Sequence, residues 1–293
     1  MDKLIKSISL NGHFRAFVVE ATEVVRTAQA LHGTLPSSTV ALGRTLLAAL
    51  ILAANEKGTT KITVKVLGDG QMGPLLAVAD SATLSARGYV KNPQLDYRRA
   101  STNEVLVAPL IGNGSLVVIK DFGLRQPYSG QVDLVSGEIG ADLAWYFLSS
   151  EQTPSSVGLS VHEDARPDSD TFGQVLSAQG FMLQAMPDAT TDEIAQMEKG
   201  LETLRFDGNL QQLTAQIYGD MVYKSLSEDA VSWHCDCSKA RFSAGIASLP
   251  TAEITAMIEE NHGAEVVCQF CNTAYHFSEK ELNALILEGL AHD

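Results

Sequence analysis

Cys235-Asp236-Cys237, thirty further residues, then Cys268-Gln269-Phe270-Cys271: this stretch near the C-terminus decides how the chain is read. It holds all four cysteines of the 293 residues. Structural disulfides are rare where thiols are kept reduced, so two close pairs point first to a metal. Zinc favours tetrahedral thiolate coordination, and two cysteine pairs brought together by a fold supply its four ligands. The first pair encloses one residue, where structural sites usually enclose about two to four. A rubredoxin-like iron centre uses the same ligands but usually sits between two pairs of the wider spacing, so zinc ranks ahead. A closed four-sulfur site leaves no open position for water, which argues against hydrolytic chemistry. A thioredoxin-like role for Cys268 and Cys271 would need a βαβ surround that is missing. His234 is read as a flanking residue, not a ligand. Each pair precedes a predicted strand with aromatics, Phe242 after the first, Tyr275 and Phe277 after the second. The expectation is one zinc ion per chain, bound by Cys235, Cys237, Cys268 and Cys271 in a small domain spanning 232–293.

Outward from this stretch, Ser278-Glu279-Lys280-Glu281 is a capping box. It opens a last helix with Leu282, Leu285, Ile286 and Leu290 on one stripe. Upstream, two amphipathic helices are predicted. Asp192–Leu204 carries Ile194, Met197, Leu201 and Leu204 on one face; Asn209–Leu226 carries Leu210, Leu213, Ile217 and Met221. Between Asp188 and Asp229 there are 9 acidic and 3 basic residues. Helices so charged need another body to cover their apolar faces. Residues 187–231 are therefore read as a helical linker docked on a neighbour; membership in the core of the first domain is the alternative.

Residues 1–186 read as a mixed α and β core, so the fold class is α+β. Predicted strands are Arg15–Val19, Lys61–Leu67, Leu75–Ala79, Ala86–Val90, Ser115–Lys120, Gln131–Val135 and Phe181–Met186. Asn113-Gly114 and Ser129-Gly130 read as turns between them. Predicted helices are Glu23–Leu31, Thr39–Asn55 after Pro36-Ser37-Ser38, and Asp142–Ser150. Gly68-Asp69-Gly70-Gln71-Met72-Gly73 matches a dinucleotide fingerprint, but Pro74 and another strand follow where a helix should open, so it reads as a turn. No nucleophile elbow or metalloprotease pattern occurs, and the chain is not expected to be an enzyme.

With 45% hydrophobic and 19% charged residues the composition is that of a globular protein. The net charge of −14 repels phosphate backbones, and residues 232–293 are acidic as well, with 9 acidic and 3 basic side chains. No nucleic-acid partner is expected. The longest apolar run, Leu46–Ala54, has nine residues, about half of the ~20 that cross a bilayer. No membrane span and no secretory signal are predicted, and a cytoplasmic location is expected.

Taken together, the Cys-x-Cys and Cys-x-x-Cys pairs resemble those of a family of redox-regulated heat-shock chaperones, the thirty-three-kilodalton chaperonins. So do Ala41-Leu42-Gly43-Arg44, Gly73-Pro74, Arg87-Gly88-Tyr89-Val90 with Asn92-Pro93, and Ser149-Ser150-Glu151-Gln152-Thr153-Pro154-Ser155, in the same order along nearly the whole chain. The resemblance implies a holding chaperone that needs no ATP, silent with zinc bound and reduced, active when oxidised. It implies that Cys235 pairs with Cys237 and Cys268 with Cys271 as zinc leaves, that unfolded client proteins are the partners, and that the reduced monomer becomes a homodimer on oxidation. The client surface is not carried over from the family; the amphipathic face of Ile194, Met197, Leu201, Leu204, Leu210, Leu213 and Ile217 is the candidate. A disulfide across one residue is a tight ring, so Cys235–Cys237 should be readily reduced. Two other function classes stay open: a static zinc-ribbon binding module, and a thiol oxidoreductase using Cys268 and Cys271.

Overall fold

The structure, a computed structural model, describes residues 1–102, 104–166 and 168–290, the last three of these by backbone alone. The side chain of Leu290, assigned to the last apolar stripe, lies outside the described residues. The chain divides into two compact units, Met1–His234 and Cys235–Asp293.

In chain order the first unit begins with β1 (Lys3–Ser9), β2 (Phe14–Glu20), α1 (Thr22–His32) and α2 (Pro36–Asn55). There follow β3 (Lys61–Gly68), β4 (Leu75–Asp80), β5 (Ser85–Val90), a single turn α3 (Ala108–Ile111), β6 (Gly114–Asp121), β7 (Tyr128–Asp133) and α4 (Gly140–Ser149). The unit ends with β8 (Ser155–Glu163), β9 (Val175–Ala185), α5 (Thr191–Leu201), α6 (Leu210–Tyr218), β10 (Tyr223–Ala230) and β11 (Ser232–Trp233). They form a five-stranded sheet in the order β10-β1-β2-β9-β8 and a six-stranded sheet in the order β11-β5-β4-β3-β6-β7. All pairings are antiparallel except β11 on β5.

Helix α2 starts at Pro36, three residues before its predicted start. Proline at the first helical position loses no hydrogen bond, and Ser37 and Ser38 are held from outside by Leu95 and Asn92. By length and composition α2 could cross a membrane, which the nine-residue run did not suggest. Every residue of it except Arg44 and Asn55 is buried inside the protein. A helix apolar all round needs cover on every side. Both sheets supply it: one cluster joins α2 to Leu4, Phe17 and Val19 of the first sheet and to Ile62, Val64, Leu75 and Leu116 of the second.

The first sheet is buried on its other face as well. Along β2, Phe17 and Val19 face the α2 cluster, while Phe14, Ala16 and Val18 join a second cluster with Ile5, Phe181 and Leu183. Helices α5 and α6 close that second cluster through Met197, Leu210, Leu213, Ile217 and Tyr218. The apolar faces anticipated from sequence are covered by this sheet.

Four assignments change. The helix predicted over Asn209–Leu226 ends at Tyr218, and Tyr223–Ala230 is β10, which pairs with β1 from Ser9↔Tyr223 to Lys3↔Ala230. Ser129-Gly130 lies inside β7 rather than in a turn, and that strand ends at Asp133. Strands β1 and β8 had no predicted counterpart. Phe242 lies in a helix, not a strand.

The second unit comprises α7 (Lys239–Ala247), α8 (Thr251–Asn261), β12 (Gly263–Val267), β13 (Ala274–Ser278) and α9 (Glu279–Leu290). The two strands form one antiparallel hairpin. Among the described residues its fully buried apolar core is Ile246, Ile254, Phe277 and Leu282, flanked by half-buried side chains such as Phe242 and Leu285. The capping box forms as expected: Ser278 accepts from the Glu281 amide, and the Glu281 carboxylate accepts from the Ser278 amide and hydroxyl.

Candidate metal centre

Two short loops carry the cysteines. Cys235 and Cys237 lie just ahead of α7, whose start Ser238 caps by accepting from the Arg241 amide. Arg241 returns to the loop, donating to the Asp236 carbonyl at 3.1 Å and pairing with its carboxylate at 2.7 Å. Cys268 and Cys271 sit in the turn of the β12–β13 hairpin. The Cys268 amide donates to the Thr273 carbonyl, and the Asn272 amide to the Cys268 carbonyl. Asn272 takes a left-handed φ of 56°, a conformation asparagine tolerates better than most residues.

The four Sγ atoms lie within 4.8 Å of one another, with Cys235 and Cys268 3.7 Å apart and Cys237 and Cys271 3.3 Å apart. All four are unbridged, Cys268 buried and the others half-buried. A tetrahedral zinc with bonds of about 2.3 Å sets its sulfurs about 3.8 Å apart. The donor set and spacing therefore fit such an ion, and the cluster is a place where a metal can be held. Around it, Tyr275 Oη lies 3.3 Å from Cys237 Sγ, and Thr273 Oγ1 lies 3.2 Å from Cys271 Sγ.

Burial pushes the Cys235 thiol up to about 12, a cost that a bound cation would offset by favouring the thiolate. Burial also raises Cys271, but the Thr273 hydroxyl and amide outweigh it and bring that thiol to about 7. The contact with Cys237, then burial, pushes Tyr275 up to about 12.

The other predicted site residues lie elsewhere. Met197, Leu210, Leu213 and Ile217 are buried under the first sheet's outer face; Ile194, Leu201 and Leu204 are half-buried at its margin. The glycine-rich segment Gly68–Gly73 joins β3 to β4, as the turn reading required. Two of the segments that carry the family resemblance make polar contacts within the first unit. Arg44 pairs with Glu138, and Glu151 joins Lys120 to the Tyr146 hydroxyl. Sequence reasoning missed the sulfur contacts of Thr273 and Tyr275, whose only signal was their place two and four residues beyond Cys271. It also missed Phe14, Ala16, Val18, Phe181 and Leu183 as one apolar surface. The signal was β2 itself, where apolar residues of both parities imply two covered faces.

Known proteins match this architecture end to end. The family model described as Hsp33 protein matches residues 2–278. The 33 kDa chaperonin of Lactococcus lactis subsp. cremoris strain MG1363 is 61% identical, covering 98% of this chain and all of that protein. The 33 kDa chaperonin of Streptococcus pneumoniae strain Hungary19A-6 is 50% identical, covering 98% of this chain and 99% of that one. The crystal structure of a 33 kDa chaperonin, a heat shock protein 33 homologue from Thermotoga maritima, superposes with a TM-score of 0.87 at 30% identity, covering 99% of both chains. Fold, cysteine cluster and relatives agree: the chain belongs to the Hsp33 family of chaperones.

Proposed function

We propose that this protein is a cytoplasmic, ATP-independent holdase governed by redox state, inactive when reduced with zinc on Cys235, Cys237, Cys268 and Cys271. The observation that carries this reading is the pairing of a four-sulfur cluster with a unit whose buried core has few members. Structural zinc adds about 10–16 kcal/mol of apparent folding free energy to such a site, whereas a whole domain is stable by about 5–15 kcal/mol. Oxidation of Cys235 with Cys237 and of Cys268 with Cys271 removes the ligands, and these short disulfide loops restrain the chain too little to compensate.

The consequence passes along the chain. β11 ends two residues before Cys235, and β10 lies immediately upstream. Loss of order in the second unit frees these strands to peel away, and α6 and α5 follow. The first sheet's outer face, with Phe14, Val18, Phe181 and Leu183, then becomes accessible together with the apolar sides of both helices. Exposed apolar surface of this size holds unfolded proteins. In this reading residues 1–186 are the core, 187–231 the releasable linker and 232–293 the switch domain, with a homodimer after oxidation.

The test is light scattering from a heat-unfolding client, with the protein added either reduced and zinc-loaded or peroxide-treated and zinc-free. Suppression by the oxidised form alone supports the switch. Equal suppression in both states, or none in either, sinks it and leaves a structural metal site in a permanently docked molecule.

A further inference from the structure

Each cysteine pair has one sulfur with a hydroxyl against it. Tyr275 Oη lies 3.3 Å from Cys237 Sγ and 3.2 Å from the Cys237 carbonyl oxygen; Thr273 Oγ1 lies 3.2 Å from Cys271 Sγ. Among the described residues no side-chain hydroxyl makes this contact with Cys235 or Cys268. A thiolate has no proton to give, so with ionised sulfurs the hydroxyls are the donors. The ring of Tyr275 and the backbone of Thr273 are both held in place. Tyr275 sits in β13 opposite Val266, its ring 5.1 Å from that of Phe242. The carbonyl of Thr273 is fixed by the Cys268 amide.

A hydrogen bond to a thiolate withdraws charge from the lone pair that attacks an oxidant, and contacts of this outer-shell kind tune metal-bound ligands. We infer that Tyr275 and Thr273 are positioning residues that restrain Cys237 and Cys271 against oxidation, and so set the hydroperoxide level at which the cluster reacts. The inference rests on the redox reading of the site. In the reaction a thiolate lone pair attacks one oxygen of hydrogen peroxide. The O–O bond breaks, the sulfur becomes a sulfenic acid and hydroxide leaves. The second thiolate of the pair attacks that sulfur, the S–S bond forms, and a second hydroxide leaves. Two sulfurs have then given up two electrons to one peroxide. Each hydroxyl slows whichever of these attacks its own sulfur makes.

The experiment uses the full-length, zinc-loaded protein and its Y275F and T273V variants, both chosen to keep shape while removing the hydroxyl. Zinc release by hydrogen peroxide is followed with a chromogenic chelator at constant pH, and the first sulfenic acids are trapped and mapped by peptide mass spectrometry. Release should quicken by about fivefold in Y275F, short of the usual outer-shell effect because Tyr275 shares its proton with a carbonyl. The added trapping should fall on Cys237 in Y275F and on Cys271 in T273V. A merely structural role would speed release without this exchange of target sulfur, and that result would overturn the inference. So would variants releasing zinc at the parent's rate or more slowly while the parent still responds to peroxide. Retention of zinc by the parent itself under peroxide would overturn the redox reading beneath it.

Discussion

A carboxylate with no part in the sulfur chemistry shows how much of the first unit hangs on single residues. Asp142 is fully buried, and its oxygens accept from the amides of Val135, Ser136, Gly137 and Ile139 at 2.8–3.3 Å and from the Ser136 hydroxyl at 3.2 Å. These bonds hold Ile139 at a φ of 66°, which a β-branched residue adopts only when its surroundings impose it. They also fix the start of α4 and place Glu138 against Arg44. Replacing Asp142 by alanine strands the buried amides of Gly137 and Ile139 and removes the constraint on Ile139, so we expect a loss of about 3–5 kcal/mol. Both tryptophans lie in the first unit, but Trp233 belongs to β11 just ahead of the second, so the fluorescence of Trp145 in a W233F background, followed during urea unfolding, reports this loss. A midpoint within error of the parent's would show that water or a neighbour replaces the carboxylate.

The helices that close the second cluster carry the element-scale arguments. α5 is capped by Thr190 and Glu193, and Glu193 also meets His13 at 2.9 Å beyond the turn after β1. The Thr190 amide and hydroxyl, with His13, hold the Glu193 carboxyl down to about 2 from its usual value near 4.5. A depressed carboxyl contributes stability above about pH 4.5 that disappears as pH falls through about 2. Opening of α5 measured by amide exchange at Glu193 should therefore rise across that window, and E193Q should flatten the rise; an unchanged profile would remove Glu193 from the latch. In α6, Leu213 is fully buried, and Leu213→Ala should cost about 2–5 kcal/mol of docking. We expect this variant to suppress client aggregation without oxidation, whereas a weakened but silent protein would place α6 in the permanent core. Most of these elements were legible because their periods are clean, as in Lys61–Gly68 and the faces of α5 and α6. The failures have local causes. Gly130 looked like a breaker, yet it lies in a strand beneath an aromatic ring, and so does Gly158 in β8, a strand with no predicted counterpart. A Cβ there would come within 2.9 Å of Tyr146 and 2.3 Å of Phe181 respectively, so packing dictates the glycine. Met221 prolonged the spacing of α6 into a segment whose amides are claimed by β1, a partner more than two hundred residues away. The cysteine cluster was legible as a spacing. Its hydroxyl partners were not, since only the hairpin turn brings Thr273 and Tyr275 to particular sulfurs.

At the scale of the molecule, charge divides ahead of α5, whereas the compact units divide after His234. Residues 188–293 carry 18 acidic and 6 basic side chains, nearly all of the net −14. The first unit has a large continuous core around α2, while the second has a small one. Local loss of order at the metal centre is therefore possible without global unfolding, and the acidic segment gains from expansion because its charges repel. Calorimetry tests the separation. The zinc-loaded, reduced protein should give two transitions, and chelation under reducing conditions should abolish the one belonging to the second unit while Trp145 fluorescence in the W233F background still reports a cooperative transition of the first. Raising sodium chloride from about 0.02 to 0.5 M screens repulsion beyond a few ångströms, so it should reduce dye binding to the chelated protein by keeping α5 and α6 docked. Dye binding that grows with salt would assign the expansion to something other than charge. A single transition that moves as a whole on chelation would mean the units unfold together, and oxidation would then destroy the client surface along with the switch.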